Sequence, residues 1–517
     1  MNRMELSRKP FFFLFLSSEK AIQIRTKQSI MFCPPTIPFL GNILWLLKSS
    51  HDFSNLEPIL RRLRTKHGPI LTLHIGSRPS IFITTRELAH RALVQNATIF
   101  ANRPQAIETT KVIFSNHRTV SSAAYGSLWK VLRQNLASVL HPSRLNVYSG
   151  GRKWAYDVLQ KELLDIVEQP ESRNKAILVQ DHFQHVVFCL LAYMCFGEKL
   201  EEKVIRDIEA VQRPVLANFI RFNVLNFMPR LGKIVFRKLW KELLEIRKKQ
   251  EDVLIPLIRQ RRKKINNTKE GDEGESIVSY VDTLFDLRLP QENNAETQLS
   301  EGEMLSLCSE FINGGTDTST TTLQWVMANL VKHQEIQEKL YREINAVVKR
   351  GEEIKEQDLE KMPYLEAIVL ETLRRHPPGH FILPRAVTED TVMEGYDIPM
   401  NAMVNFTVAE MGWDPNVWED PMEFRPERFM SEEGGEEKVV FDIKGAKEIK
   451  MMPFGAGRRV CPAISLALLH QKYFVANLVR DFKWTSEGDE DVDLSEKQDF
   501  TMVMKNPLQA HITPRMN

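Results

Sequence analysis

The chain of 517 residues contains no long apolar run. The longest near its start, "FFFLFL" at residues 11–16, is shorter than a signal-peptide core and far below the ~20 residues that span a bilayer as a helix. No later segment is longer and apolar enough, so the chain is expected not to cross a membrane through any visible span. Cysteine is scarce. The five residues, Cys33, Cys189, Cys195, Cys308 and Cys461, are odd in number, scattered and without a CxxC, which points to a reducing compartment and no structural zinc. Charge of one sign is also missing: 69 Lys and Arg against 67 Asp and Glu leave a formal +2, so nothing asks for a nucleic-acid partner. No Rossmann-type glycine fingerprint or flavin site is present, which excludes a built-in dinucleotide domain.

What remains is ordinary globular composition, 43% hydrophobic and 26% charged. "CPPTIPFLGN" (33–42) is a stiff proline-rich entry that follows an atypical segment, 1–32. "GPILTLHIGSRPSIFITT" (68–85) predicts a β-hairpin around Gly76 to Pro79. From 86 to 376 the pattern is almost wholly helical, interrupted by a charged loop at 261–276. "SEGE" at Ser300 predicts a capping box with Glu303 and a helix of roughly thirty residues. After "RRHPPG" (374–379) short strands and turns take over, "TVMEGYDIPMNAMVNFTV" among them, until "SLALLHQKYFVANLVRDF" (465–482) returns to helix. The fold class expected is mainly α with a smaller β-rich part drawn from both ends, and residues 33–517 form one domain.

The most informative stretch is "MMPFGAGRRVCPA" (451–463). A lone cysteine is ordinarily a small buried hydrophobe. Here two glycines permit tight left-handed backbone, Arg458 and Arg459 supply charge that favours a thiolate, and Pro462 suits the first turn of a following helix. Such a thiolate could be a nucleophile or a soft metal ligand. No sequence-local histidine offers itself as a base, and a single thiolate suits a metal that brings its other ligands, as haem does.

"FGAGRRVC" resembles the haem-binding loop of the cytochrome P-450 superfamily, Phe-x-x-Gly-x-Arg-x-Cys-x-Gly, with Phe454, Gly457, Arg459 and Cys461 matching and Ala463 in place of the final glycine. The resemblance implies haem b with Cys461 as axial thiolate, lying between a long central helix and the cysteine loop. "NGGTDTST" (313–320) is similar to the family's oxygen-activation motif, which implies that Asp317 and Thr318 deliver protons during dioxygen activation. Read alone, it is either a mid-helix packing notch with a solvated acid or a place where a small molecule lies against the backbone beside a carboxylate and a hydroxyl suited to relaying protons. "ETLRRHPP" holds Glu371 and Arg374 three apart on a helix face; in the family this pair is buried and joined by a later arginine, here Arg428 of "FRPERF". Trp129 and Arg133 of "WKVLR" share a helix face and by resemblance meet a haem propionate, as do Arg459 and Arg385 of "LPRAV".

The resemblance covers roughly 34–515 and is closest in kind to plant A-type members of the eighty-nine family. It implies a monooxygenase acting on a lipophilic small molecule of plant secondary or catabolic metabolism, at the cytosolic face of the endoplasmic reticulum membrane. NADPH would serve indirectly, through NADPH–cytochrome P-450 reductase. An oxygen-independent haem-thiolate isomerase or dehydratase, or a non-catalytic haem binder, are the alternatives; the intact Asp317 and Thr318 pair counts against the first. Lys444, Lys447, Lys450 and Arg458 form the basic face expected to receive the acidic reductase. The segment 218–241, with Arg221, Arg230, Lys233, Arg237, Lys238 and Lys241, is either an amphipathic helix pair on the core or a peripheral membrane contact. Substrate choice is expected to lie in 103–124, 210–228, His380 to Leu383 and 499–504, largely apolar segments.

Overall fold

Strong helical periodicity over long stretches yields a helical body. The computed structural model describes residues 41–42 and 56–515, apart from 76–77, 106, 170–175, 223, 228, 268–276, 291–295, 431–440 and 487–490. The segment 1–32, Cys33 and most of the proline-rich entry therefore lie outside the described residues. The principal helices are α1 (Leu56–His67), α2 (Ser127–Leu140), α3 (Ser149–Glu168), α4 (Val179–Phe196), α5 (Glu202–Ala217), α6 (Arg237–Asn267), α7 (Glu301–Lys332), α8 (Pro363–Arg375) and α9 (Ile464–Asp481). The strands that matter for the site are β1 (Ile70–Ile75), β2 (Arg78–Ile83), β3 (Arg385–Ala386), β4 (Met403–Phe406), β5 (Glu496–Gln498) and β6 (Met502–Met504).

α7 is the central element. Its start is fixed by the expected capping box: Ser300 N donates to Glu303 Oε2 at 2.8 Å and Glu303 N donates to Ser300 Oγ at 3.3 Å. From Met304 onwards it is buried nearly all round, as is α4 from Phe183, because each is surrounded by other helices rather than lying on a surface. α6 is different. It buries only a stripe that includes Leu243, Leu254 and Ile258, so its other faces carry charge. One apolar core joins α2, α3, α4, α7 and α9; a second lies beneath the sheet.

That sheet runs β1-β2-β4-β3. β1 and β2 form the expected antiparallel hairpin, Ile70 opposite Ile83. β2 pairs in parallel with β4, Ile81 opposite Val404, and β4 pairs antiparallel with β3, Val404 opposite Arg385. The chain thus returns from residue 376 to the N-terminal hairpin, and this return places Arg385 at the sheet's edge.

Three expectations need correction. The charged loop at 261–276 begins later, since α6 continues to Asn267: "RRKKINN" carries residues that favour helix and tolerate exposure. The helical stretch 86–376 is broken by a small hairpin, Arg288–Pro290 against Glu296–Gln298. The two descriptions of 218–241 divide the segment. Phe222 and Leu225 are buried against Ile113, Val215 and Leu243, whereas Ile234, 73% exposed, and Val235, 69%, stand in solvent. Among the described residues no helix is long and apolar enough to cross a membrane.

Candidate active site

A cavity of about 440 Å³ lies between α7 and the segment that carries Cys461. The loop gets its shape from two glycines at φ +70° (Gly455) and +71° (Gly457), a region that side chains disfavour. At Gly457 the constraint is also steric, for a Cβ there would sit 1.7 Å from the carbonyl oxygen of Leu93. Cys461 N donates to Phe454 O at 2.9 Å, closing the loop, and Ala463 N donates to Cys461 Sγ at 3.4 Å. Ala463 has φ −105°, outside the left-handed region, so alanine sits there without strain where the motif has glycine. Pro462 is not in the helix's first turn as expected. α9 begins at Ile464, and the intervening turn is what aims the Ala463 N–H at the sulfur.

Burial pushes the Cys461 thiol up in the chain alone, while the Ala463 N–H and the Arg133 guanidinium pull it back. Arg458 and Arg459 do not supply this charge as the sequence suggested. The short turn Gly457–Arg459 sends Arg458 outwards over the Tyr125 ring, 5.8 Å from its centroid. Arg459 donates to Ala101 O and, at 2.6 Å, to Ala123 O, and lies 4.8 Å from the centroid of Trp129. Arg133, one turn along α2 from Trp129, donates to Val460 O at 2.7 Å.

Four guanidinium groups line the cavity: Arg103, Arg133, Arg385 and Arg459. Burial pulls all four down, and their mutual repulsion adds to it at Arg385 and Arg459; Arg459 stands at about 9, Arg103 at about 10, and Arg385 well below its ordinary value. Arg385 is 3% exposed and its Nε and Nη1 have no hydrogen-bond partner. A buried cation without a partner is strongly unfavourable, so this wall calls for an anion. Haem b fits: it carries two carboxylates to set against the arginines and an iron that accepts one thiolate. Arg103 escaped the sequence reading, because nothing near it in sequence marks it. It straps the cavity wall by donating to Ser121 O at 2.6 Å, Leu383 O at 2.9 Å and Pro384 O at 2.8 Å.

On the opposite wall the two adjacent glycines of α7 do different things. A Cβ at Gly315 would lie 2.8 Å from Leu191 Cδ1, so this glycine permits close packing of α7 on α4. At Gly314 a Cβ would meet nothing within 4 Å, and the residue faces the cavity. α7 is not interrupted there. Thr318 lines the cavity and its hydroxyl donates to Gly314 O at 2.9 Å. Asp317, the next residue round the helix, is turned to α4 instead. Gln184 Nε2 donates to its Oδ1 at 3.3 Å, and burial pushes its carboxyl up to about 6 against that bond.

Behind the site, Glu371 and Arg374 form a bidentate pair at 2.6 and 2.7 Å with no exposure at all. Glu371 Oε1 also accepts from Arg428 Nε at 3.4 Å and from Arg425 N at 2.8 Å, while Arg374 donates to Gly412 O and Pro421 O, both at 2.7 Å. α8 is thereby tied to the loop before the cysteine. Of the segments expected to face substrate, 103–124 contributes Arg103, Val120 and Ser121, and 499–504 contributes Phe500 and Thr501. From 210–228 no described residue lines the cavity, because Phe222 and Leu225 are spent on a separate core. His380 does not line it either, although Phe381, Ile382 and Leu383 do. It is buried in an ion cluster with Glu57 and Glu496, which sequence reasoning missed.

The cytochrome P-450 family model matches residues 32–513. Cytochrome P-450 89A9 of Arabidopsis thaliana is 49% identical over 493 residues, 93% of each chain. Isoflavone 3'-hydroxylase of Medicago truncatula is 31% identical, covering 92% of this chain and 91% of its own. A zebra fish cytochrome P-450 structure with progesterone superposes with a TM-score of 0.74 at 22% identity, over 89% of this chain and all of the other. The chain belongs to the cytochrome P-450 family, monooxygenase oxidoreductases in which a cysteine thiolate holds haem.

Proposed function

We propose that the chain inserts one oxygen atom from dioxygen into a lipophilic small molecule of plant secondary or catabolic metabolism, with electrons passed from NADPH through a flavoprotein reductase. One observation carries this: Cys461 and Thr318 line the same largely apolar cavity, whose wall holds four arginines, with Arg385 Nε and Nη1 left without a partner among the described residues. Haem b, when bound, supplies dioxygen activation and oxygen insertion, with the thiolate adding electron density. Cys461 would be the metal ligand, with Phe454 and Gly457 shaping its loop, and Trp129, Arg133, Arg385 and Arg459 would hold the propionates. Asp317, standing at about 6, exchanges protons near neutral pH and passes them towards Thr318, whose hydroxyl both donates and accepts. Glu371, Arg374 and Arg428 act as scaffold. Residues 33–517 work as one catalytic domain.

Exposed Lys444, Lys447, Lys450 and Arg458 offer the reductase a basic face. Exposed Ile234, Val235 and Phe236, beside Arg237, Lys238 and Lys241, suit contact with the cytosolic face of the endoplasmic reticulum membrane. A relative named as an isoflavone hydroxylase supports a small-molecule substrate. The test is reconstitution with reductase, NADPH and isotopically heavy dioxygen. Each product molecule should gain one heavy oxygen atom and consume NADPH. Unlabelled product formed without NADPH would replace the proposal with an isomerase or dehydratase.

A further inference from the structure

Among the described residues that line the cavity, Glu310 is the one acid. Both of its oxygens are aimed by backbone: Oε2 accepts from Val120 N at 2.8 Å and Oε1 from Ser121 N at 2.7 Å. A carboxylate oxygen can accept more than one hydrogen bond, so each keeps capacity towards the cavity. The charge of Glu310 acts on Arg103 and Arg459, holding both up against burial, but neither bonds to it. Arg103 and Arg459 direct their donors to backbone carbonyls, and among the described residues Glu310 forms no ion pair. Glu310 stands four residues before Gly314 and eight before Thr318, on one stripe of α7 with the open Gly314 notch between them. Eight residues of helix separate the two ends of this stripe by about 12 Å. Phe311 and Tyr280, stacked at 4.8 Å, add aromatic wall on the Glu310 side.

We infer that Glu310 determines specificity, accepting a hydrogen bond from an uncharged N–H or O–H of the substrate and so holding a distant part of it against the Gly314 notch and Thr318. The cavity then selects lipophilic ring molecules that carry a donor at the end remote from the oxidised carbon. An uncharged donor is favoured over an ammonium, because Arg103 and Arg459 lie near enough to Glu310 for their charges to act on it and would repel a second cation there. This deepens the proposed function and rests on it.

The test compares a donor with its blocked twin, 4-butylphenol and 4-butylanisole, binding to the wild-type holoprotein, Glu310→Gln and Glu310→Leu by equilibrium dialysis. A hydrogen bond to a charged acceptor should favour the phenol by roughly tenfold or more in the wild type. That preference should shrink in Glu310→Gln and vanish in Glu310→Leu, with the anisole little changed. If both probes weaken equally, or the wild type shows no preference, Glu310 merely ties down the 120–121 backbone and the inference fails. Should Glu310→Leu not incorporate haem, Glu310→Gln alone decides, on the same ratio. The ferrous carbon monoxide band of the same samples reports separately whether the haem-thiolate assignment stands.

Discussion

Replacing His380 by glutamine should destabilise the protein by an amount that disappears at high pH. His380 sits just before the cavity-lining residues Phe381 to Leu383 and joins Glu57 of α1 to Glu496 of β5, whose hairpin carries Phe500 and Thr501 at its turn. Burial pulls the imidazole down, but hydrogen bonds and charge from Glu496 and Glu57 outweigh it and hold His380 at about 9. The other groups around it are His376, bonded to Glu496 at 2.7 Å; Arg61 between Glu57 and Glu410; Arg375 beside Glu496; and the edge-on ring of Trp413. A histidine held at about 9 rather than 6.5 contributes about 3 kcal/mol. The same interaction holds Glu496 at about 2 and is counted once. Since the folded value is raised, the contribution is complete below pH 6.5 and is lost as pH rises through 9. Urea unfolding of wild type and His380→Gln should therefore differ by about 3 kcal/mol near pH 6 and by less than about 1 kcal/mol near pH 10. Groups away from this cluster titrate alike in both proteins and cancel in this difference. An equal difference at both pH values would refute the charged cluster.

Thr318→Ala should keep normal haem content while diverting NADPH-derived electrons to peroxide, read as the ratio of peroxide to product; unchanged coupling would remove Thr318 from the proton path. Gly457→Ala places a methyl 1.7 Å from Leu93 O in a left-handed turn, so haem content of the purified protein should fall steeply. Normal haem content there would mean that the loop and the Leu93 backbone separate freely.

The parts legible in the sequence are those whose meaning is local. The capping box at Ser300, the glycine-shaped loop before Cys461 and the three-residue spacing of Glu371 and Arg374 are each contained within one turn or loop. What escaped depends on distant segments meeting. Glu57 and His380 are 323 residues apart, and Glu310 reaches backbone 189 and 190 residues away, so no pattern near either announces it. Proximity in sequence also misled. Arg459 is two residues from Cys461, yet the short turn before it sends its donors to Ala101 and Ala123, and Arg133 from α2 is the cation that acts on the sulfur. The sequence of 380–383 does not distinguish His380 from its cavity-facing neighbours, because a loop's sequence does not say which side chain turns inwards.

The central claim is that Cys461 binds haem iron through its sulfur. The direct measurement is the carbon monoxide difference spectrum of the reduced wild-type protein and of Cys461→Ser. Wild type should give the long-wavelength Soret band of a thiolate-ligated haem, and Cys461→Ser should lack it. Retention of that band in the serine variant would place the thiolate elsewhere and contradict the account.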